Sequence, residues 1–135
     1  GLGQERVRER YSRHAKSLVA LGDGAGADRE VGLLTEIVAE ANPYTDDLSG
    51  GLPVRVLYQG APRVDVQVEL FERDPAGEVT IRLYRTDDKG RATVEVKPGH
   101  FYLVDAVVMR ELEIEDDKDP AWESLWASLT FKVPE

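Results

Sequence analysis

Cysteine is absent from these 135 residues, which removes disulfide scaffolds, thiol nucleophiles, zinc fingers and iron–sulfur clusters together. It leaves the redox compartment undetermined. Histidine is scarce: two imidazoles argue against a histidine-rich transition-metal site or a Ser-His-Asp triad. No apolar run approaches the roughly 20 residues needed to cross a bilayer. Positive charge is in deficit too, with 17 Lys and Arg against 26 Asp and Glu and a net charge of -9. Such a field repels phosphate backbones and anionic lipid, so no nucleic-acid partner is expected and cationic partners suit the chain better. The glycine-rich stretch Gly22-Asp23-Gly24-Ala25-Gly26 lacks the Lys-Ser or Lys-Thr of a phosphate cradle and reads as a flexible loop.

What is present suffices for one soluble globular domain of 15.0 kDa: 41% hydrophobic and 32% charged residues, able to bury about two thirds of the unfolded surface. Residues 1–30 read as an N-terminal arm or connector, basic in patches and then glycine-rich. No charged leader with an apolar core and a cleavage site stands at Gly1, so no export signal is expected in this chain.

From residue 31 onward the pattern is all-β. Val64, Val66, Val68 and Leu70 alternate with Asp65, Gln67 and Glu69, which calls for one dry and one wet face. The same test marks Leu34–Ala39, Leu52–Tyr58, Val79–Leu83, Arg91–Val96, a nearly all-apolar Phe101–Met109 covered on both faces, and a last strand. In that last strand Leu125, Ala127, Leu129, Phe131 and Val133 point inward. Tyr11–Leu21 is compatible with helix or strand and leans to strand; residues 114–121 read as an exposed acidic loop. Turns at Gln59–Pro62, Asp74–Gly77, Thr86–Gly90 and Lys97–Gly99 separate the strands. The expectation is a seven-stranded antiparallel sandwich of immunoglobulin-like type over residues 31–135.

The turn Thr86-Asp87-Asp88-Lys89-Gly90, with Pro98-Gly99-His100-Phe101-Tyr102 after the next strand, resembles transthyretin-like and carboxypeptidase-regulatory-like β-sandwiches. Four blocks carry a second resemblance: Tyr11-Ser12-Arg13-His14-Ala15-Lys16, Glu36-Ile37-Val38 with Asn42-Pro43-Tyr44, Val54 to Gly60, and Trp122 to Phe131. They are similar to an uncharacterised bacterial family, domain-of-unknown-function family 4198. That resemblance implies a periplasmic β-sandwich associated with nickel or cobalt uptake, with no established catalysis. It also implies that residues 1–30 are the tail of a further β-rich segment, and that a metal-binding element in that segment would lie outside this chain.

Candidate chemistry is thin. His14 and His100 are the imidazoles a nickel or cobalt site would use, His100 being the better placed at the opening of the central strand. The acidic run with Asp116, Asp117 and Asp119 offers oxygen ligands for calcium, though without an EF-hand pattern, and a solvated loop is the simpler reading. Asp46-Asp47 and Asp87-Asp88 are turn residues. Among 26 acids some pair will fall at the roughly 5–9 Å of glycosidase carboxylates by chance. Asp105 stands out because an ionised carboxylate in an apolar strand must face solvent or find a partner, for which Arg82 or Arg55 would serve. Trp122, Trp126 and Tyr44 could form an aromatic platform, or simply pack, with Trp126 under the N-terminal segment.

These features lead to a non-catalytic binding or interaction module as the first expectation, an accessory of nickel or cobalt uptake with a divalent metal ion as the only cofactor in view. Its partner would be a metal-uptake membrane complex or another domain of the same protein. A structural sandwich that docks through a strand edge is the second reading. A carbohydrate-binding or carbohydrate-acting domain is the third.

Overall fold

The computed structural model describes residues 8–19, 24–111 and 121–135, and every regular element among them is a strand. In chain order these are β1 (Arg8–Ser17), β2 (Thr35–Ala39), β3 (Leu52–Tyr58), β4 (Ala61–Pro62), β5 (Gln67–Arg73), β6 (Val79–Arg85), β7 (Arg91–Val94), β8 (Phe101–Glu111) and β9 (Ala121–Lys132). A five-stranded sheet runs β1-β9-β8-β5-β6. A four-stranded sheet places β2 on one side of β3, with β4 and β7 pairing successive stretches of the other side. The all-β sandwich is therefore as expected, with two more strands than the sequence pattern marks.

Alternation explains the core. Val54 and Val56 from one sheet meet Leu70, Tyr102, Leu129 and Phe131 from the other, each fully buried or nearly so. Burial of each such side chain contributes about 1.5–3 kcal/mol relative to exposure. The inward register of the last strand is the expected one, Leu125 through Val133 at every second residue. The Thr86–Gly90 turn also behaves as its residues suggest. Asp87 accepts the backbone N–H groups of Lys89 and Arg91 at 2.8 and 2.9 Å, while Gly90 takes φ 76° with the Pro62 ring against it.

Four local expectations are corrected. Val64 is exposed and Asp65 takes φ 54°, so the alternating run from Val64 is broken and β5 starts only at Gln67. The strand after the Thr86–Gly90 turn stops at Val94. The apolar side of β6 faces solvent, not the core, because its other side carries Arg82 inward to Glu72. The outer face of β8 is likewise uncovered at Met109, which is 53% exposed.

Residues 8–17, within the stretch read as an arm, form the edge strand β1. It lies parallel to β9 in register from Arg8 opposite Ala121 to Ser17 opposite Thr130. The other described ladders are antiparallel. What ties β1 to the rest is a buried ion cluster. Lys16 Nζ donates to both oxygens of Asp28 at 3.0 Å, to Glu36 Oε2 at 2.9 Å and to the Arg29 carbonyl at 3.2 Å. Glu36 also accepts the N–H groups of Val31, Gly32 and Leu33, and Asp28 accepts that of Ala39. Burial alone would raise the pKa of Glu36. The bonds from Lys16, Val31 and Leu33 outweigh it and hold the carboxyl below its ordinary value of 4.5.

Removing one partner of such a cluster leaves buried charge uncompensated. Lys16→Met should lower stability in urea unfolding at neutral pH by about 3–5 kcal/mol. Since the folded pKa of Glu36 is depressed, its contribution is present above pH 4.5 and lost as pH falls through the lower folded value. Glu36→Gln should flatten that acid limb.

Candidate functional site

The turn before β8 delivers His100 to one end of the five-stranded sheet. His100 Nδ1 lies 3.0 Å from Glu72 Oε2 of β5, an ion-pair distance without the alignment of a hydrogen bond. The same oxygen accepts the Tyr102 hydroxyl at 2.6 Å, and Arg82 Nη2 of β6 donates to Glu72 Oε1 at 3.2 Å. Burial, reinforced by the bond to Glu72, pushes the Tyr102 phenol up. Tyr102 Oη in turn accepts the Lys97 N–H at 2.6 Å. Glu72 is thus a clamp across three neighbouring strands, engaged on both oxygens.

His14 is elsewhere. It sits on β1 opposite Ala127, with Nε2 3.2 Å from Ser12 Oγ, whereas the His100 carbonyl accepts the N–H of Val133. Those partners are six positions apart along the chain, roughly 20 Å at the rise of a strand. The two imidazoles are not brought together. Among the described residues no three His, Asp or Glu side chains converge as metal ligands. Asp116, Asp117 and Asp119 lie outside the described residues, and of Trp122 only the backbone is described.

The aromatic candidates also part. Tyr44 donates its hydroxyl to the Leu18 carbonyl and accepts the Lys132 N–H at 3.4 Å, stitching the end of β1 to the end of β9. It borders two shallow depressions of about 290 and 370 Å³. Trp126 stands on the outer face of the five-stranded sheet, opposite Arg13 of β1, whose guanidinium lies 5.6 Å from its ring centroid. Arg13 of the N-terminal segment thus lies over that indole, which is half-buried.

The outer face of that sheet is where unusual features gather. Val79, Ile81 and Leu83 of β6 are 58%, 56% and 61% exposed. Ile81, Phe71 and Leu103 form one row across β6, β5 and β8, and Val79, Arg73 and Phe101 the next, with the Arg73 guanidinium 5.0 Å from the Phe101 ring. A hollow of about 170 Å³ opens between Phe71, Val79, Phe101 and Leu103.

The adjoining row is Leu83, Glu69, Asp105 and Ser128. Asp105 is only 5% exposed, and its Oδ1 has no hydrogen-bond partner. The two partners expected for it are taken: Arg82 pairs with Glu72 and Arg55 with Glu40. Burial first, and then the Glu69 charge opposite, raise Asp105 from 3.8 to about 6, with Arg13 offsetting part of the rise.

Asp105 was legible as an oddity, since a carboxylate interrupts an apolar strand. Glu69 and the outward β6 residues were not. The alternation of Val-Thr-Ile-Arg-Leu-Tyr-Arg is the same whichever side faces in. The one available signal was the other side of the strand, where Arg82 and Tyr84 are long enough to reach a polar partner from inside.

Residues 3–110 match the model of a family described as a domain of unknown function (DUF4198). No curated protein and no solved structure matches the chain.

Because the folded pKa of Asp105 is raised, the folded state holds the extra proton between pH 3.8 and about 6. Stability is therefore lost as pH rises through that window. Asp105→Asn should remove this slope and stabilise the protein at pH 7 by about 1–3 kcal/mol, read from urea midpoints at pH 4.5 and 7.

Proposed function

We propose, for a chain that belongs to the DUF4198 family, a role as a non-catalytic interaction module that docks another protein through the outer face of its five-stranded sheet. The observation that carries this reading is the apolar surface just described. Three aliphatic side chains, each more than half exposed, line one edge strand and run on into Phe71, Leu103 and Phe101. Folded monomers rarely leave so continuous an apolar patch in water, and patches of this kind mark interaction sites. Cross-strand pairing holds the row in a fixed geometry, so the surface is ready before a partner arrives.

Direct ligation of a metal ion has less support. His100 is held beside a carboxylate already bonded to Tyr102 and Arg82, and His14 lies far from it. The periplasmic setting and the association with nickel or cobalt uptake implied by the resemblance enter this reading through the partner: the docked protein is a component of an uptake complex.

The test is photo-crosslinking in the native host. A crosslinking amino acid replaces Ile81 or Leu83 in the protein, and, as a control, Thr93, which is exposed on the outer face of the four-stranded sheet. One discrete adduct common to Ile81 and Leu83 and absent at Thr93 is expected, with its protein component identified by mass spectrometry. No adduct, or the same adducts at Thr93, would remove the reading.

A further inference from the structure

We infer that the Glu69–Asp105 pair receives a lysine or arginine side chain of the docked partner, whose contact surface is a basic residue set among apolar ones. This inference rests on the docking reading and specifies the chemistry of what docks.

Glu69 and Asp105 are directly opposite each other on β5 and β8, on the outward side of the sheet. Side chains in that relation have Cβ atoms about 4.5–5.5 Å apart, and like charges there oppose folding unless a cation lies between them. Among the described residues no side chain supplies that cation. From β9 the facing residues are Ser128, Trp126 and Thr130, none charged; from β8 itself they are Leu103 and Val107. Among the described residues Arg13 of β1 is the basic group that influences Asp105, and its guanidinium lies over the Trp126 ring, with no ion pair to Asp105. Beyond Glu69 the row ends in Leu83.

A second, independent observation is the orphaned oxygen. Asp105 is 95% buried by the count of its 5% exposure, yet Oδ1 has no donor. A buried acceptor left unpaired opposes folding; Oδ1 itself is closed to solvent, so an arriving ammonium or guanidinium group approaches the carboxyl from the Glu69 side and offsets its charge there. The residues around the pair define the rest of the partner. Leu83, Ile81, Phe71 and Leu103 border it with apolar surface, so a basic residue must come flanked by apolar ones. Charge complementarity also selects among occupants. A second copy of the chain brings another net charge of -9 to the interface, and anionic lipid is repelled in the same way. A basic protein surface is attracted.

The sign of the pH dependence follows. A cation favours the ionised form of Asp105, so affinity should rise as pH increases through about 6.

The probe is a synthetic amphipathic peptide with a central Lys on its leucine face, against twins carrying Glu or Met at that position. Binding to the full chain is followed by Trp fluorescence and calorimetry at pH 5 and pH 7.5. The Lys peptide should bind at least about tenfold more tightly than the Glu twin at pH 7.5, and that preference should shrink at pH 5. In the double variant Glu69→Gln, Asp105→Asn the preference should vanish while apolar binding of the Met twin persists. Ile81→Asp should weaken all three peptides. Binding that is lost in Ile81→Asp but shows no preference for Lys overturns the inference and leaves the docking reading standing. Binding indifferent to Ile81→Asp, or no binding by any peptide at millimolar concentration, overturns both. Adsorption to phosphatidylcholine vesicles in preference to the Lys peptide also overturns the basic-partner inference.

Discussion

The buried contact of Lys16 with Asp28 and Glu36 is the constraint on which the arrangement of the two sheets turns. β1 lies at an edge of the larger sheet, held along one side by parallel pairing to β9. Its inward lysine crosses to the segment that leads into β2, and that segment has little regular structure of its own. The two carboxylates collect backbone N–H groups from Val31, Gly32, Leu33 and Ala39, so one ammonium group organises a loop and the entry to the second sheet together. A buried ion cluster of this kind is a poor source of net stability compared with apolar packing. Its value lies in specificity, because no other lysine register would meet both acids.

The same logic, applied at the opposite edge, explains why the larger sheet leaves apolar surface in water. β6 could have turned Val79, Ile81 and Leu83 inward. It turns Arg82 inward instead, because Glu72 lies buried beneath it and is also held by Tyr102. An unpaired Glu72 there would cost more than three exposed aliphatic side chains. The polar clamp and the exposed apolar row are thus two consequences of one register. That coupling gives the exposed apolar row its rigidity, since any slip of β6 by one residue would break the clamp.

Asp105 belongs to the same surface and shows a cost left unrelieved within the chain. Its neighbours offer one like charge, Glu69, and one partial counter-charge, Arg13, itself engaged with an indole. Folding tolerates this because the strand is otherwise well buried through Tyr102, Val104 and Ala106 on its inner side. Local conflict with overall stability at a surface bordered by apolar residues is the pattern expected of a contact site.

Read alone, the order of residues was enough to establish an all-β sandwich, the inward side of the last strand, the chemistry of the Thr86–Gly90 turn and the anomaly of Asp105. Each rests on local physics: alternation along a strand, hydrogen bonding by an aspartate across a turn, and the penalty of a charge in an apolar run. Tertiary structure alone decided that β1 pairs parallel with β9, that Val64 lies outside the core, that β6 faces outward, and that Glu69 stands opposite Asp105. Those facts depend on which strands become neighbours, and strand pairing joins residues far apart in the chain through contacts that no local pattern encodes. The separation of His14 from His100 has the same origin: two imidazoles with no spacing rule between them met or missed each other only when the sheet formed.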